Sequence, residues 1–339
     1  MAKAPLIGTP EPIAALNRVK ITEYANPLEQ REPLVDIRLY CPDVVVTDTL
    51  CPYFRKAPAD LLNRAQASLK NGLKLRVHTV LRTRAMQKRG WDNYFKRMQE
   101  EHPQWPLSAL RRATNKYYAP YDQPAPPGHC TGGAVDVNLL DKEGNDLDLI
   151  SPTQGWEAAY TWSNLISPEA KQSRMTMVNA MLEAGFSNCR DEYWHYSWGD
   201  SAWAVRVGEQ SCPYGWVYSP IVLEPDFEGI AHNQIALTYT VDPKTGKPLS
   251  AEGDFEVSTA QDRWRIGLLW ASEVPTILRL HLPSSQSSSP LYWGVNRENW
   301  VEAPTTERES KIITLRTTPE ADRLYVANFI PPPIEETTQ

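Results

Sequence analysis

Two short segments far apart in the chain constrain its fold most strongly. The first, residues 128–136, reads Gly-His-Cys-Thr-Gly-Gly-Ala-Val-Asp, and the second, residues 192–195, reads Glu-Tyr-Trp-His. Together they supply two imidazoles and two carboxylates. A catalytic zinc site takes three protein ligands and keeps one position for water, and a free glutamate nearby can exchange a proton with that water. A fold that joins the two segments is therefore predicted to build a metal-dependent hydrolytic site.

The residue types predict a ligand set. His129, Asp136 and His195 are the predicted zinc ligands, because neutral imidazole and carboxylate both suit this metal. Glu192 and its neighbour Asp191 are both candidates for the proton-transfer group. Residues three apart lie on opposite faces of a flat strand, so a turn or bulge is needed to bring Glu192 and His195 to one metal.

The pattern H-x6-D followed by E-x-x-H resembles the zinc D-Ala-D-Ala peptidases, and within them the D-alanyl-D-alanine dipeptidases of the vancomycin-resistance type. The likeness covers roughly residues 30–205. It implies one zinc ion per chain, held by His129, Asp136 and His195. It also implies that Glu192 is the general base and acid, and that Asp191 is a solvated turn residue.

The resemblance also implies an arginine that stabilises the oxyanion of the tetrahedral intermediate. Residues 78–87, His-Thr-Val-Leu-Arg-Thr-Arg-Ala-Met-Gln, look like the arginine segment of the family, which gives Arg82 this role with Arg84 as the alternative. Leu81 and Thr83 replace a usual Tyr and Pro. His78 shares the predicted strand face of Arg82 and is expected to line the pocket.

A dipeptidase must also bind a free ammonium group. In the family an acidic residue after an aromatic does so, and Trp156-Glu157 matches this pattern with Glu in place of the usual Asp. The alternative is that Glu157 is an ordinary exposed loop residue. Pro127 stands where many relatives carry a small hydroxyl residue, so one substrate contact of the family has no counterpart here.

Composition bounds the class of protein. With 339 residues, 41% hydrophobic and 22% charged, the chain predicts about two ordinary globular domains. A net charge of −6 argues against nucleic acid or an anionic membrane as partner. No run of apolar residues is long enough to span a bilayer or to act as a signal peptide, so a cytoplasmic location is expected.

The predicted fold class is α+β: a zinc peptidase domain of helices and a small antiparallel sheet, followed by an all-β, sandwich-like domain. Predicted boundaries are 1–30 for an N-terminal extension, 31–219 for the peptidase domain, 220–330 for the β domain and 331–339 for a disordered tail. Within the peptidase domain the patterns predict the following helices (58–72, 84–102 and 167–184) and strands (34–46 with a break at Pro42, 73–82, 134–140 and 191–198).

The C-terminal region predicts seven short strands at 234–241, 254–259, 263–270, 276–282, 291–295, 311–316 and 323–329. Four tryptophans there are candidates for a binding face or for a core, namely Trp264, Trp270, Trp293 and Trp300. The sequence leaves the role of this domain open among covering the site, forming a homo-oligomer and binding a partner.

The functional prediction is zinc-dependent hydrolysis of D-Ala-D-Ala or a close D-containing dipeptide, in D-alanine salvage or peptidoglycan turnover. One alternative is a zinc D,D-carboxypeptidase that acts on longer peptidoglycan precursors, which the expected cytoplasmic location disfavours. The other is an inactive peptidase-fold binding or scaffold protein, which the complete set of ligands and base disfavours.

Overall fold

The structure is a computed structural model that describes residues 12–22, 32, 34–47, 51–153, 155–217, 222–225, 230–231, 236–244, 248–256, 258–259, 265–269, 274–282, 291–295, 298–317 and 323–328. The chain divides into two compact units, Met1–Trp216 and Val217–Gln339. The predicted disordered tail, together with Trp264 and Trp270, lies outside the described residues. The functional assignments of the predicted domains stay predictions.

The N-terminal unit mixes helices and strands. Its helices are α1 (Ile13–Leu16), α2 (Ile37–Tyr40), α3 (Lys56–Ser68), α4 (Arg84–Glu101), α5 (Leu107–Tyr117), α6 (Trp156–Ala159), α7 (Pro168–Ala184) and α8 (Ser201–Val207). Its strands are β1 (Lys20–Ile21), β2 (Leu34–Asp36), β3 (Val45–Val46), β4 (Tyr53–Arg55), β5 (Lys74–Thr79), β6 (Ala134–Leu140), β7 (Ser187–Asn188), β8 (His195–Ser197) and β9 (Ser211–Cys212).

A five-stranded sheet with the order β3-β5-β6-β8-β7 organises this unit. The β3–β5 pair is parallel, and the other three pairs are antiparallel. Two small ladders accompany it, β2 with β4 antiparallel and β1 with β9 parallel. The predicted mixture of helices and a small, mainly antiparallel sheet is therefore confirmed for this unit.

The central strand β6 has one face in the core, as its alternating sequence predicts. Val135, Val137 and Leu139 are fully buried, in one cluster with Leu62 of α3 and Met181 of α7. Side chains alternate between the two faces of a strand, so the intervening Asp136 points to the opposite side. Burial of the apolar face thus fixes which way this carboxylate points.

Helix α7 begins and ends where its sequence signals lie. The Ser167 hydroxyl accepts a hydrogen bond from the Ala170 amide at 3.0 Å, and Pro168 occupies the first turn. Gly185 ends the helix at φ +115°, in the left-handed region that suits a glycine C-cap. The helix packs against α3 and covers the core side of the sheet.

Three strand predictions in this unit were wrong in extent. Of the predicted strand 73–82 only Lys74–Thr79 is a strand, so Arg82 lies beyond the strand that carries His78. The predicted strand 34–46 is interrupted by α2, because the Asp36 carboxylate accepts from the Arg38 amide at 2.9 Å and caps a helical turn. In the predicted strand 191–198 only His195–Ser197 is extended, and a turn precedes it. Helices α5 and α8 were not predicted from the sequence.

The C-terminal unit is described mainly as strands. These are β10 (Val222–Pro225), β11 (Ile230–Ala231), β12 (Ala236–Val241), β13 (Pro248–Glu256), β14 (Ser258–Thr259), β15 (Arg265–Leu269), β16 (Thr276–His281), β17 (Tyr292–Val295), β18 (Glu298–Glu302), β19 (Ile312–Thr317) and β20 (Arg323–Ala327). They form a five-stranded sheet, β10-β15-β20-β17-β18, a four-stranded sheet, β12-β13-β16-β19, and the pair β11-β14. A short helix, α9 (Thr305–Ser310), also lies here, so the all-β, sandwich-like assignment is not confirmed and stays a prediction.

Across the described residues, the structure contains no helix that combines the length and the apolar character needed to cross a membrane.

Candidate metal centre

Pairing of β6 with β8 brings together two of the predicted ligands. Asp136 and His195 are directly opposite each other in the antiparallel register. Opposed residues in such a pair project to the same face with Cβ atoms about 4.5–5.5 Å apart. The Asp136 Oδ1 and His195 Nδ1 atoms accordingly lie 2.9 Å apart. Two segments distant in sequence thus meet through one strand pairing.

The third predicted ligand comes from the short 3-10 turn Gly128–Thr131 that leads into β6. His129 lies in this turn, 6% exposed, and Gly132 ends it at φ +68°. The backbone carbonyl of His129 accepts a hydrogen bond from the Arg82 amide at 3.1 Å. This hydrogen bond joins the turn to the segment that follows β5, and it holds the His129 imidazole over β6.

The hydrogen bonds of His129 identify its free lone pair. Its Nδ1 lies 2.7 Å from the Val80 carbonyl oxygen, and a carbonyl only accepts, so Nδ1 carries the proton. Nε2, the nitrogen left with a lone pair, lies 3.2 Å from Asp136 Oδ1. Burial lowers the pKa of His129 and so favours the neutral ring. The Nε2 lone pair and the carboxylate oxygen repel each other at this distance, so a cation bound by both atoms stabilises the arrangement.

His129, Asp136 and His195 together form a group that could hold a metal ion. One ligand atom from each of them lies within 4.8 Å of the other two. The two imidazole rings meet edge to face, with centroids 4.9 Å apart, so that both present a nitrogen to the same carboxylate oxygen. Two imidazoles and one carboxylate are a ligand set that zinc uses in catalytic sites. The side chains present therefore fit this metal.

The charges of the centre are strongly coupled. Burial disfavours the ionised form of Asp136, yet the two histidines hold the pKa of its carboxyl well below the usual range. For His195 burial acts to lower the pKa, but the hydrogen bond and the charge of Asp136 raise it above the ordinary value. In the absence of metal, His195 is thus the ring that binds the extra proton most readily.

Glu192 lies in the turn that precedes β8, which supplies the bend that the E-x-x-H spacing required. Its carbonyl accepts from the His195 amide at 3.0 Å, which closes the turn. Burial raises the pKa of the Glu192 carboxyl, and the charges of His195, Asp136 and Arg82 also act on it. The carboxyl therefore lies beside the metal group without belonging to it.

The two candidate arginines have different surroundings. Arg82 Nη2 lies 3.7 Å from Asp136 Oδ2, and the side chain is 32% exposed, so the guanidinium borders the centre and still reaches solvent. The Arg84 guanidinium instead lies over the ring of Trp216, 5.2 Å from its centroid. Asp191 pairs with Arg190 at 2.6 Å in the neighbouring turn. Of these charged groups, Arg82 has the direct contact with the centre.

His78, the predicted pocket residue, is half-buried on β5. Burial first, and Arg76 next, lower the pKa of its ring, while Asp146 and then Asp136 act in the opposite direction. Its Nε2 is buried and has no hydrogen-bond partner among the described residues. The role of His78 toward a substrate stays a prediction.

The predicted ammonium-binding pair lies on the short helix α6. Trp156 packs edge to face on Tyr117, with ring centroids 5.0 Å apart, and Glu157 is exposed. Glu157 lines a cavity of about 540 Å³ together with Arg190 and aromatic side chains, and none of the three candidate metal ligands contributes to its lining. The structure thus leaves the substrate role of Trp156 and Glu157 a prediction.

Arg174 is a buried charge on α7 that sequence reasoning missed. It is fully buried on α7 and donates hydrogen bonds to the carbonyls of Leu149, Ala158 and Tyr160, the last at 2.7 Å. Its guanidinium lies over the Tyr193 ring at 4.1 Å, next to Glu192. An arginine in a helix gives no sequence signal that it will be buried and bind these carbonyls. The one unusual feature is its position on the core face of an amphipathic helix.

Residues 71–212, which contain all four residues of the predicted zinc machinery and Arg82, match the family model of the D-Ala-D-Ala dipeptidases. This part of the chain is similar to the D-Ala-D-Ala dipeptidases. The match confirms the resemblance that the H-x6-D and E-x-x-H motifs indicated.

Curated relatives give the same likeness over shorter segments. A D-alanyl-D-alanine dipeptidase of Synechocystis sp. is 31% identical over 97 residues, which cover 25% of this chain and 39% of that protein. A D-alanyl-D-alanine dipeptidase of Escherichia coli is 28% identical over 86 residues, which cover 25% of this chain and 45% of that protein. The chain thus spans less than half the length of these relatives.

Among solved structures, a mutant of the vancomycin resistance D,D-pentapeptidase VanY from a VanB-type cassette, in complex with Zn(II), aligns with 58% of this chain and 96% of its own. The identity is 15% and the TM-score is 0.31, so this likeness carries no conclusion about the present chain.

Proposed function

We propose that the N-terminal unit is a zinc metallopeptidase that hydrolyses D-Ala-D-Ala or a close D-containing dipeptide. The observation that carries the proposal is the convergence of His129 Nε2 and His195 Nδ1 on one oxygen of Asp136, at 3.2 and 2.9 Å. Similarity of residues 71–212 to the D-Ala-D-Ala dipeptidases supports the substrate class. The carboxyl of Glu192 beside the group supports a hydrolytic reaction.

In this proposal His129, Asp136 and His195 hold one zinc ion per chain. Zinc at such a site supplies a Lewis acid that polarises a carbonyl and makes water more acidic. The three side chains are held before the metal arrives: Val80 fixes the ring of His129, and the β6–β8 pairing fixes Asp136 against His195. Such preorganisation limits the cost of assembling the ligands.

Glu192 is proposed as the general base and acid. It takes a proton from the attacking water and returns it to the nitrogen of the leaving D-alanine. Burial raises the pKa of its carboxyl, which makes it a stronger base than an exposed glutamate and a better donor near neutral pH. Its position in the turn, closed by the His195 amide, ties its backbone to the ligand segment.

Arg82 is proposed to stabilise the oxyanion that forms when water adds to the scissile carbonyl. A fixed guanidinium is suited to this task because it stays charged and donates several hydrogen bonds. Arg82 borders Asp136 and keeps part of its side chain open to solvent, where a substrate carbonyl could approach. His78, Trp156 and Glu157 are proposed to contact the substrate, Glu157 through its ammonium group.

The test pairs metal analysis with a substrate assay on the full chain. Protein purified without added metal is expected to contain about one zinc per chain and to release free D-alanine from D-Ala-D-Ala. Removal of zinc by a chelator should abolish release, and added zinc should restore it. A chain that takes up no zinc on titration would contradict the metal site, and zinc uptake without any turnover would favour the inactive scaffold.

Substrate length separates the dipeptidase from the D,D-carboxypeptidase alternative. N-acetyl-D-Ala-D-Ala places a neutral amide where an ammonium is expected, so the exposed carboxylate of Glu157 loses a charged partner, at a cost of about 1 kcal/mol. It should therefore be cleaved about fivefold more slowly than the free dipeptide. Glu157→Gln should reduce this difference by slowing the free dipeptide. Equal rates on the two substrates would favour a carboxypeptidase, and would make Glu157 an ordinary surface residue.

Location and assembly stay predictions from the sequence. A cytoplasmic location fits the proposed salvage of D-alanine or turnover of peptidoglycan fragments. Formation of a homo-oligomer through the C-terminal unit is tested by the mass of the full chain in solution. A monomer at micromolar concentration would contradict it.

A further inference from the structure

A buried carboxylate lies near the outer ring nitrogen of His195. Asp200 is fully buried just before α8. Its Oδ1 accepts hydrogen bonds from the Ser197 hydroxyl at 3.0 Å and from the Trp203 amide at 2.6 Å. Its Oδ2 is also buried, and no hydrogen-bond partner for it exists among the described residues. A buried carboxylate oxygen without a donor is costly, so this atom calls for a partner.

The surroundings of Gly128 relate Asp200 Oδ2 to the ring of His195. A Cβ atom at residue 128 would lie 2.6 Å from Asp200 Oδ2, 3.0 Å from the Ala134 Cβ and 3.7 Å from His195 Nε2. The carboxylate oxygen and the outer imidazole nitrogen therefore lie near the same position, and no hydrogen bond joins them in the structure. A side chain at residue 128 would require the Asp200 carboxylate to shift, which favours glycine there.

Metal binding determines which nitrogen of His195 carries the proton. Nδ1 faces Asp136, so a metal held with that carboxylate needs the lone pair of Nδ1. The proton of the neutral ring must then be on Nε2. That makes Nε2 a donor on the side of Asp200, whose Oδ2 is the buried acceptor without a partner.

His129, the other histidine of the metal group, donates a hydrogen bond from the ring nitrogen that faces away from the centre. His129 presents Nε2 to the centre while its Nδ1 donates to the Val80 carbonyl at 2.7 Å. Ligating histidines generally donate their second nitrogen to a carboxylate or carbonyl, which fixes the tautomer and makes the ring a stronger ligand. On the His195 side, Asp200 Oδ2 is a buried acceptor near Nε2.

We propose that Asp200 is a positioning residue that orients His195 for metal binding by accepting the Nε2 proton. The inference rests on the proposed zinc site and adds a residue to it. The Ser197 hydroxyl and the Trp203 amide hold the Asp200 carboxylate in place through Oδ1. Oδ2 is thereby left free for the imidazole. Loss of such an outer acceptor costs about 10–100-fold in metal affinity or activity.

The decisive variant is Asp200→Asn, with zinc affinity measured by competition with a chelator. The amide oxygen can still accept from Ser197 and Trp203, so the amide nitrogen is turned toward His195. Two donors then face each other, and the tautomer that binds metal through Nδ1 is disfavoured. Zinc affinity should fall about 10–100-fold. Ser197→Ala is the matched control, because the Trp203 amide still holds Oδ1 in this variant and the carboxylate is retained, so its zinc affinity should fall less than that of Asp200→Asn.

A spectroscopic measurement on the wild-type chain avoids dependence on the folding of the variant. With ¹⁵N-labelled histidine and bound zinc, the His195 resonance should show a protonated Nε2 whose proton exchanges slowly and is shifted downfield by a charged acceptor. In Asp200→Asn that proton should exchange faster and lose its downfield shift. The metal-free variants should unfold at temperatures close to the wild type, as judged by circular dichroism.

The outcomes separate the two proposals. A wild-type chain that binds no zinc refutes the proposed function. If the wild-type chain binds zinc, two results refute only the role of Asp200. One is an equal zinc affinity in Asp200→Asn, and the other is a His195 Nε2 that carries no proton. An equal loss of affinity in Ser197→Ala would also refute it, because the effect would then come from the local packing around both residues.

Discussion

Replacement of Glu192 by glutamine is the sharpest test of the proposed chemistry. The amide keeps the shape of the side chain but has no basic oxygen to accept a proton from water. General acid–base groups contribute about 10²–10⁴-fold to rates, which corresponds to about 3–5 kcal/mol of transition-state stabilisation. We expect kcat on D-Ala-D-Ala to fall by that factor.

The structure also predicts what Glu192→Gln leaves unchanged. The three ligand atoms of the metal group come from His129, Asp136 and His195, so zinc content should stay at the wild-type level. Burial raises the pKa of the Glu192 carboxyl, which means that folding disfavours its charged form. A neutral amide avoids that cost, and the free energy of unfolding should be equal to or higher than that of the wild type.

The assay measures release of D-alanine with zinc in excess, and metal analysis is done on the same samples. Asp191→Asn is the matched control: Asp191 pairs with Arg190 at 2.6 Å, so its loss should leave turnover near the wild-type rate. If zinc-loaded Glu192→Gln keeps more than about a tenth of wild-type turnover, the proton-transfer role is wrong. If Asp191→Asn loses turnover instead, the base is Asp191.

Three further results are expected. His195→Ala should not retain stoichiometric zinc after dialysis, as measured by elemental analysis, and retention would contradict its role as a ligand. Zinc affinity should weaken by about tenfold per pH unit as the pH falls below the pKa of His195, because a proton then competes with the metal for Nδ1. Asp136 raises the pKa at which this competition begins. Chelator competition at several pH values checks the prediction, and an affinity that does not change with pH would refute it. Arg82→Lys should lower kcat by about 10²–10³-fold, whereas Arg84→Lys, whose guanidinium lies over Trp216, should change kcat little; the reverse order would exchange their roles.

Local sequence signals predicted the elements that carry the ligands. The alternation in residues 134–140 gave strand β6 with its observed bounds, and it gave Asp136 a direction opposite to the buried valines. The Ser167-Pro168 start and Gly185 gave the ends of α7. These signals are local because a strand face or a helix cap is determined by residues within a few positions of each other.

Turn geometry was harder to predict. Residues 191–198 are rich in strand formers, yet the first half is a turn, because the Glu192 carbonyl accepts from the His195 amide and His195 then pairs with Asp136. The pairing partner is distant in sequence, so propensity alone could not show where the strand begins. The E-x-x-H spacing required a bend, and this was a stronger indication than residue preference.

The groups that hold the ligands in place left no signal in the sequence. The Val80 carbonyl that fixes His129 is a backbone atom, which any residue could supply. Arg174 ties the carbonyls of Ala158 in α6 and of Tyr160 to the ring of Tyr193, which follows Glu192 in the chain. Asp200 caps α8 through Oδ1, a helix that the sequence did not predict, and the proposed role of its second oxygen depends on the neighbouring ring of His195. A motif therefore predicts candidate ligands, while their orientation depends on partners that only the folded chain brings together.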